Sequence, residues 1–202
     1  MMVKIAVLVS GRGSNLQAII DSIEKGYIKN AAINVVISNK ANAYALERAR
    51  NYGISAVFLD PDEYDRTGYD REILNILKQH NTDLLLLAGY FRILGNEIIG
   101  VYRNRVLNIH PSLLPAFKGL HAQKQAFEYG VKVAGCTVHF VDEGLDSGPI
   151  ILQNCVPVLP GDTEETLTAR ILEQEHIIYP EAVKLFTEGK LKIEGRNVVA
   201  RI

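Results

Sequence analysis

An amide and an imidazole stand two residues apart where an apolar segment ends. Asn108 and His110 belong to the segment VLNIH, and Pro111 follows directly. In a strand, residues two apart project to the same side, so both side chains should face one side at the strand's carboxyl end. An amide donor beside a histidine that can carry a proton could stabilise an oxyanion and supply a proton. A structural histidine is the simpler interpretation of this pair alone.

A later acidic segment could complete this arrangement. VDEGLDSGP joins two apolar runs and carries three carboxylates among glycines, the composition of a surface loop that can lie across a site. Asp146, between Gly144 and Gly148, could approach His110 and hold it in its charged form, because a neighbouring anion favours an imidazolium. The alternative is a solvated turn.

A glycine-rich turn near the start of the chain predicts an anion site. VSGRGSNLQ follows an apolar run and opens a helical pattern, so the amides of Gly13, Ser14 and Asn15 should point out of a helix N-terminus, where a phosphate is favoured. A dinucleotide fits less well, because Leu16 replaces the third glycine of that fingerprint and the second strand ends without an acid. No Lys-Ser or Lys-Thr pair follows, as a triphosphate loop requires. The turn therefore predicts a monophosphate site, or only a tight connection between strand and helix.

The elements that must position these residues alternate along the chain. Short apolar runs predict strands covered on both faces at 3–9, 33–38, 56–59, 83–89 and 106–110. Helical spacing of the apolar residues predicts helices at 14–26, 42–53, 69–80 and 96–104. Gly26 should end the first of these helices and Gly53 the second. Repeated strand and helix units indicate a Rossmann-like α/β fold, a doubly wound and mostly parallel sheet with helices on both faces.

The second half of the chain predicts a different arrangement. A helix at about 122–129 precedes strands at 134–142 and 149–158, and a long helix should run from Thr163 to Glu188. Asp162 and Glu165 should form its capping box, and Pro180 should kink it. The tail at about 190–202 predicts a hairpin that turns at Gly195.

Composition limits the classes of function. With 202 residues, of which 48% are hydrophobic, the chain can bury one sizeable core, so we expect one domain. The net charge of −1 gives no general attraction to nucleic acid or membranes, which leaves small molecules as the expected partners. No apolar run reaches the length of a membrane span and no signal-peptide cleavage pattern is present, so we expect a cytoplasmic protein. Cys136 and Cys155 lie in apolar runs outside any CxxC pair and should be core thiols.

Taken together, the motifs resemble a known family. SGRGSN, LNIHPSLLP and LDSGP, in this order and spacing, are similar to the folate-dependent formyltransferases, and the likeness extends through NKANAYALERA, LAGYFRIL and QEHIIYP. HPSLLP alone also fits the wider group, which includes methionyl-tRNA formyltransferase and formyltetrahydrofolate hydrolase. The phosphate loop and the short chain favour the branch that formylates glycinamide ribonucleotide, since the other two enzymes carry an extra domain.

The resemblance implies a reaction and a set of site residues. The reaction is transfer of a formyl group from 10-formyltetrahydrofolate to the primary amine of glycinamide ribonucleotide in de novo purine biosynthesis, and its chemistry requires no metal. The sequence leaves both a monomer and a homodimer open. Catalysis would fall to Asn108, His110 and Asp146. The ribonucleotide would be bound by Gly13, Ser14, Asn15 and Glu175, and the folate by Arg66, Phe91, Arg92, Ile93, Leu94, Asn108, Asp142, Glu143, Gly144, Leu145 and Asp146. Phe91 stands where a methionine is expected, an apolar exchange that alters shape more than chemistry.

The resemblance also divides the chain by task. It implies a phosphate-binding half at about 1–100, a catalytic and folate-binding half at about 101–188, and the hairpin at about 190–202.

Two other interpretations stay open. A mononucleotide-binding regulator would use Asn108 and His110 only to bind a ligand, and turnover would distinguish it from an enzyme. A second alternative is a metal site formed by His110, His121, His139 and Asp146. These residues are not spaced along the sequence as closely as metal ligands usually are, so no metal is expected. His121 and His139 should then be core or supporting residues, whereas His80 and His176 belong to no motif.

Overall fold

The computed structural model of the protein describes residues 2–200. The chain divides into two compact units, the first ending at Asn108 and the second beginning at Ile109. Arg201 and Ile202, the last residues of the predicted hairpin, lie outside the described residues. Within residues 2–200, every helix is too short or too polar to cross a membrane.

The first unit is built on parallel strands. They are β1 (Val3–Val9), β2 (Ala31–Ser38), β3 (Ser55–Phe58), β4 (Leu84–Leu87) and β5 (Val106–His110), the last of which continues two residues into the second unit. Their order is β3-β2-β1-β4-β5, and each neighbouring pair is parallel. The central strand β1 is fully buried from Ile5 to Val9, as its continuous apolar sequence predicts.

Helices connect these strands in two groups. The helices are α1 (Ser14–Glu24), α2 (Tyr44–Asn51), α3 (Arg66–Gln79) and α4 (Asn96–Val101), with a short 3-10 helix at Pro61–Glu63. The chain steps outwards from β1 to β3 and then returns to β4 and β5 on the other side of β1. Because such crossovers are right-handed, α1 and α2 lie on one face and α3 and α4 on the other, and each pair is in contact. The doubly wound α/β prediction is confirmed.

Two local features of the first unit test the sequence patterns further. Gly26 and Gly53 each lie two residues beyond a helix with a positive φ, of 71° and 67°, so both are confirmed as stops. The prediction that β3 is covered on both faces is wrong, because Ser55 and Phe58 are exposed. β3 ends the strand order, and among residues 2–200 it pairs only with β2. An apolar run does not distinguish such an edge from a central strand.

The second unit contains α5 (Ala122–Tyr129), β6 (Val133–Phe140), β7 (Ile150–Pro157), α6 (Glu164–Thr187), β8 (Leu191–Glu194) and β9 (Asn197–Ala200). β6 and β7 are antiparallel, β9 joins β7 in parallel, and β8 pairs with β9 as a hairpin. Gly195 turns that hairpin with a φ of 63°, as predicted. The long helix α6 packs on β6, β7 and α5 and continues through Pro180 as one element.

The predicted cap of α6 is wrong. Thr163 is the N-cap, and its hydroxyl and that of Thr166 form the reciprocal capping box. Asp162 instead accepts two hydrogen bonds from the Arg170 guanidinium, each 2.8 Å long. This bidentate pair lowers the pKa of Asp162. The same carboxylate also accepts from the hydroxyl of Thr166 at 2.9 Å, whereas the Thr166 amide donates to the Thr163 hydroxyl.

The prediction of two core thiols is correct for Cys136 and wrong for Cys155, which is exposed. The register pairs Cys136 with Asn154 and Cys155 with Gly135, so the two cysteines occupy opposite faces of the ladder. Asn154 donates to Gln174 of α6. Cys136 therefore faces the helix, whereas Cys155 faces away from it.

Candidate active site

His110 ends β5 with a hydrogen-bond acceptor at each ring nitrogen. The residue is 5% exposed. Nδ1 lies 3.4 Å from Oδ2 of Asp146, and Nε2 lies 2.9 Å from the carbonyl oxygen of Phe117. An imidazolium donates to both acceptors at once, whereas a neutral ring donates to only one. Asn108, two residues earlier on the same strand, is half-buried and projects to the same side.

The carboxylate of Asp146 has three neighbours in the second unit. Oδ2 accepts a 2.8 Å hydrogen bond from the backbone amide of Gly119 in addition to its contact with His110. Oδ1 lies 3.7 Å from Nε2 of His139. The Asp146 side chain is 11% exposed, so little water screens its charge, and its interaction with His110 is stronger than at a surface. We call Asp146, His110, His139 and Gly119 the carboxylate cluster.

The loop before Asp146 is folded by its own side chains. Asp142 accepts hydrogen bonds from the hydroxyl of Ser147, at 2.6 Å, and from the amide of Gly144, at 3.1 Å. Arg196 from the C-terminal hairpin donates to the carbonyl of Ser147. Asp146 adopts a φ of 46°, a left-handed conformation that Asp tolerates better than most residues. These contacts hold the turn that presents the Asp146 carboxylate.

His139 is a neutral member of the cluster. It is 2% exposed, and this burial lowers its pKa. Its Nδ1 donates a 2.8 Å hydrogen bond to the carbonyl of Phe140, which leaves the lone pair of Nε2 facing Asp146. The negative charge of Asp146 is therefore not compensated by His139. His121, by contrast, lies exposed at the start of α5 with a φ of 59°.

The hydrogen bonds of the cluster bear on metal binding. The structure of residues 2–200 contains no group of three or more His, Cys, Asp or Glu side chains placed to hold a metal ion. His110 and His139 each direct one ring nitrogen at a backbone carbonyl. Their remaining nitrogens share the Asp146 carboxylate rather than converging on one point.

The predicted phosphate loop lies in the first unit. Gly13 is the N-cap of α1, with a φ of 71°, and no side chain caps the helix. The first turn of α1 has no acidic residue to compete with an anion. A Cβ on Gly13 would lie only 2.6 Å from the Cβ of Ala45. Glycine is thus required there both by conformation and by space.

The predicted folate residues of the first unit meet in part. A cavity of about 330 Å³ is lined by Arg66, Asp70, Tyr90, Arg92 and Ile93. Phe91 and Ile93 are 68% and 66% exposed, whereas Leu94 is 4% exposed and packs in the core. Arg92 lies over the ring of Tyr69, with its guanidinium carbon 4.8 Å from the ring centre. The structure brings Arg66, Arg92 and Ile93 together and leaves Leu94 outside the cavity.

Two residues of this cavity were not singled out by their sequence. Burial raises the pKa of Asp70, although Arg66 and Arg92 act in the opposite direction. Burial also raises the pKa of Tyr90. Asp70 lies within a helical pattern and Tyr90 beside a glycine at a strand end. Asp70 belongs to no short motif. Tyr90 lies in LAGYFRIL, but only Phe91 to Leu94 of that segment were assigned to the folate.

Glu175 is buried on α6, with 6% of its surface exposed. It lies near Cys136 of β6, and burial together with this carboxylate raises the pKa of the thiol to about 12. A buried carboxylate requires polar or charged partners, and Glu175 has interactions beyond its contact with Cys136.

Comparison with known proteins agrees with these features. The sequence matches the formyl transferase family over residues 3–183. It is 48% identical over 190 residues to the phosphoribosylglycinamide formyltransferase of Escherichia coli (strain K12), covering 94% of this chain and 89% of that protein. The crystal structure of glycinamide ribonucleotide transformylase 1 from Symbiobacterium toebii matches all of this chain and 95% of its own, with a TM-score of 0.97 and 55% identity. A formyltetrahydrofolate deformylase from Pseudomonas syringae pv. tomato has a TM-score of 0.94 at 26% identity, and 67% of that chain is covered.

Proposed function

The chain belongs to the formyl transferase family, and from that premise we infer that it transfers a formyl group from 10-formyltetrahydrofolate to the amine of glycinamide ribonucleotide. This is a reaction of purine biosynthesis. The relatives with that activity in their names share 48% and 55% of aligned residues over nearly the whole chain, against 26% for the deformylase. The first unit supplies the phosphate loop, and the second supplies His110 and Asp146.

The observation that carries the proposed chemistry is the pair of acceptors around His110. Attack of the amine on the formyl carbon places negative charge on the formyl oxygen. The Asn108 amide and an imidazolium at His110 would donate hydrogen bonds to that oxygen. Each such donor contributes roughly 2.7 to 4 kcal/mol to lowering the barrier. Asp146 stabilises the positive charge on which the second donor depends.

The hydrogen bond from His110 to the carbonyl of Phe117 must break before His110 can donate to the substrate through the same nitrogen. Nε2 is within hydrogen-bond distance of the Phe117 carbonyl, and Nδ1 faces Asp146. The formyl oxygen therefore has to replace the Phe117 carbonyl as the acceptor for Nε2. Phe117 has a φ of 51° in the loop after β5, and we assign the exchange to a shift of this loop.

The transfer balances without any redox change. The amine nitrogen forms a bond to the formyl carbon and loses one proton. The bond from that carbon to N10 of the folate breaks, N10 keeps the electron pair, and it gains one proton. Asp146 stays beside His110 throughout, and no step is assigned to a metal ion.

The ribonucleotide is assigned to the glycine turn and to one carboxylate. We place the ribonucleotide phosphate at the amides of Gly13, Ser14 and Asn15, where the α1 dipole favours an anion. Glu175 is proposed to hold the same substrate, as the family resemblance implies.

The folate is assigned to two regions. Arg66 and Arg92 provide two guanidiniums in one cavity, a suitable site for the carboxylates of a folate tail. Exposed Phe91 and Ile93 offer apolar contact. The loop from Asp142 to Asp146 is the second region, again by the family resemblance.

An isotope experiment tests this function. The protein is incubated with folate carrying a ¹³C-labelled formyl group, with and without glycinamide ribonucleotide. We expect the label in formylated ribonucleotide, and tetrahydrofolate only when the ribonucleotide is present. Labelled formate in the absence of ribonucleotide would indicate a hydrolase, and binding without turnover would indicate a regulator. His110→Gln, purified in parallel, controls for contaminating host enzyme and should transfer far less label.

A further inference from the structure

Helix α2 holds two carbonyl groups of the glycine turn. The backbone amide of Ala45 donates to the carbonyl of Gly11 at 3.1 Å. The Nε of Arg48 donates to the carbonyl of Arg12 at 2.9 Å. The next carbonyl, that of Gly13, accepts the first hydrogen bond within α1 at 3.0 Å. Three consecutive carbonyls of the turn are thus fixed in direction.

Fixing a carbonyl also fixes the amide that follows it. In a planar trans peptide, the C=O of one residue and the N–H of the next point in opposite directions. Holding the Arg12 carbonyl against Arg48 therefore directs the Gly13 amide away from α2. That amide is one of the donors assigned to the phosphate.

Arg48 is itself held by several partners. Its Nη1 donates to Oε1 of Gln17 at 2.8 Å, and its guanidinium carbon lies 4.8 Å from the ring centre of Tyr44. Gln17 is fixed in turn, because its Nε2 donates to Asp21 at 2.7 Å and to the hydroxyl of Tyr52 at 3.0 Å. The guanidinium is a fixed part of the turn rather than a mobile surface charge.

We propose that Arg48 is a positioning residue for ribonucleotide binding, which aims the Gly13 amide at the phosphate by holding the Arg12 carbonyl. This inference rests on the proposed function, since the ligand is the phosphate assigned there. Arg48 acts through the backbone. Its contribution is therefore to geometry and not only to local positive charge.

Lysine separates geometry from charge at this position. Arg48→Lys keeps the positive charge but has no planar group that donates to Arg12 and Gln17 together. We expect the variant to raise the KM for glycinamide ribonucleotide about tenfold, comparable with a lost charge-assisted hydrogen bond. The kcat and the KM for the folate should change less than twofold. Gln17→Ala, which removes only the support of Arg48, should raise the same KM about threefold.

The effect must depend on the phosphate of the substrate. With glycinamide riboside, which lacks it, kcat/KM should differ less than twofold between Arg48→Lys and the unmodified protein. Arg50→Lys is the matched control, because Arg50 is exposed on the same helix and its side chain makes no hydrogen bond or ion pair among residues 2–200. It should behave like the unmodified protein with both substrates.

The outcomes separate this inference from the function on which it rests. If the unmodified protein uses the ribonucleotide and the riboside equally well, the phosphate loop is wrongly assigned and the role of Arg48 fails with it. If the unmodified protein discriminates between the two substrates and Arg48→Lys discriminates to the same degree, only the role of Arg48 fails. If Arg48→Lys lowers kcat/KM equally for both substrates, Arg48 has only a structural role, and this result would also overturn the proposal.

Discussion

The glycine turn of the first unit and the carboxylate cluster of the second present different chemical groups. The turn offers backbone amides, and its shape depends on Gly13 and on the donors from α2. The cluster offers side chains, in which one carboxylate contacts two histidines and an amide. A side-chain substitution can delete a charge from the cluster, but it can only shift the backbone donors of the turn. Changes in the two regions should therefore alter different kinetic constants.

The electrostatic settings differ as well. The cluster is buried: His110 is 5% exposed, His139 is 2% exposed, and the Asp146 side chain is 11% exposed. Charges interact strongly where water is excluded. The turn is half-exposed, and it binds an anion through neutral dipoles. We infer that the cluster controls the chemical step and that the turn controls affinity for the ribonucleotide.

The largest effect is expected from neutralising the cluster. Asp146→Asn keeps the shape of the side chain and removes the charge that stabilises an imidazolium at His110. We predict a fall in kcat of at least about 100-fold, comparable with the loss of an oxyanion donor. The KM for the ribonucleotide should change much less. Steady-state kinetics measure both values.

Glu128→Gln is the control for Asp146→Asn. It removes one negative charge from an exposed side chain of the same unit and should leave kcat unchanged. A near-normal kcat in Asp146→Asn would show that this aspartate has no catalytic role.

A smaller effect, on affinity, is expected from the turn. Gly13→Ala forces a φ of 71° on an alanine and brings its Cβ within 2.6 Å of the Ala45 Cβ. We predict that the KM for the ribonucleotide rises about tenfold, as for a lost charge-assisted hydrogen bond, with kcat nearly unchanged. Adding Ala45→Gly removes the contact with the Ala45 Cβ but leaves the strained φ and a 2.9 Å approach to the Cα of residue 45, so it should restore only part of the affinity.

Gly53→Ala provides the comparison for strain alone. Its φ is 67°, and a Cβ there meets no atom within 4 Å. It should lower stability by about 1 to 2 kcal/mol and leave the KM for the ribonucleotide unaltered. If Gly13→Ala behaves in the same way, the turn does not bind this substrate.

The smallest effect concerns the stability of the cluster in acid. Burial lowers the pKa of His139 in the folded chain below its unfolded value, near 6.5. Between these two values the unfolded chain binds a proton that the folded chain does not. Stability is therefore lost as the pH falls through about 6.5 towards the folded pKa, with a slope of up to about 1.4 kcal/mol per pH unit for one such group.

His139→Gln removes this contribution, so urea unfolding between pH 5 and pH 8 should show a shallower acid slope. His176, whose pKa is also lowered by burial, should contribute in the same direction and remains in that variant. A slope unchanged by His139→Gln would mean that His139 does not stay neutral in the folded cluster.

Much of the fold could be predicted from short-range patterns. The bounds of β1, β5 and α5 agree with the sequence to the residue, because each is a continuous apolar or amphipathic run closed by a turn signal. The edge position of β3 and the exposure of Cys155 could not be predicted. Both depend on which strand or helix covers a face, and this is decided by packing between distant segments.

The candidate site was predictable in its side chains and not in its backbone. Asn108, His110 and Asp146 were marked by residue type and spacing. The carbonyl of Phe117 and the amide of Gly119, which complete the surroundings of His110 and Asp146, carry no signal in residue type. Any residue has these groups, and only the folded loop shows where they point.

The division between binding and chemistry is tested most directly by comparing two substrates. The kcat/KM of the unmodified protein is measured for glycinamide ribonucleotide and for its dephosphorylated riboside. We predict a value at least about 100-fold lower for the riboside, since two or more charge-assisted hydrogen bonds from the turn are lost. Equal kcat/KM values for the two substrates would contradict the account.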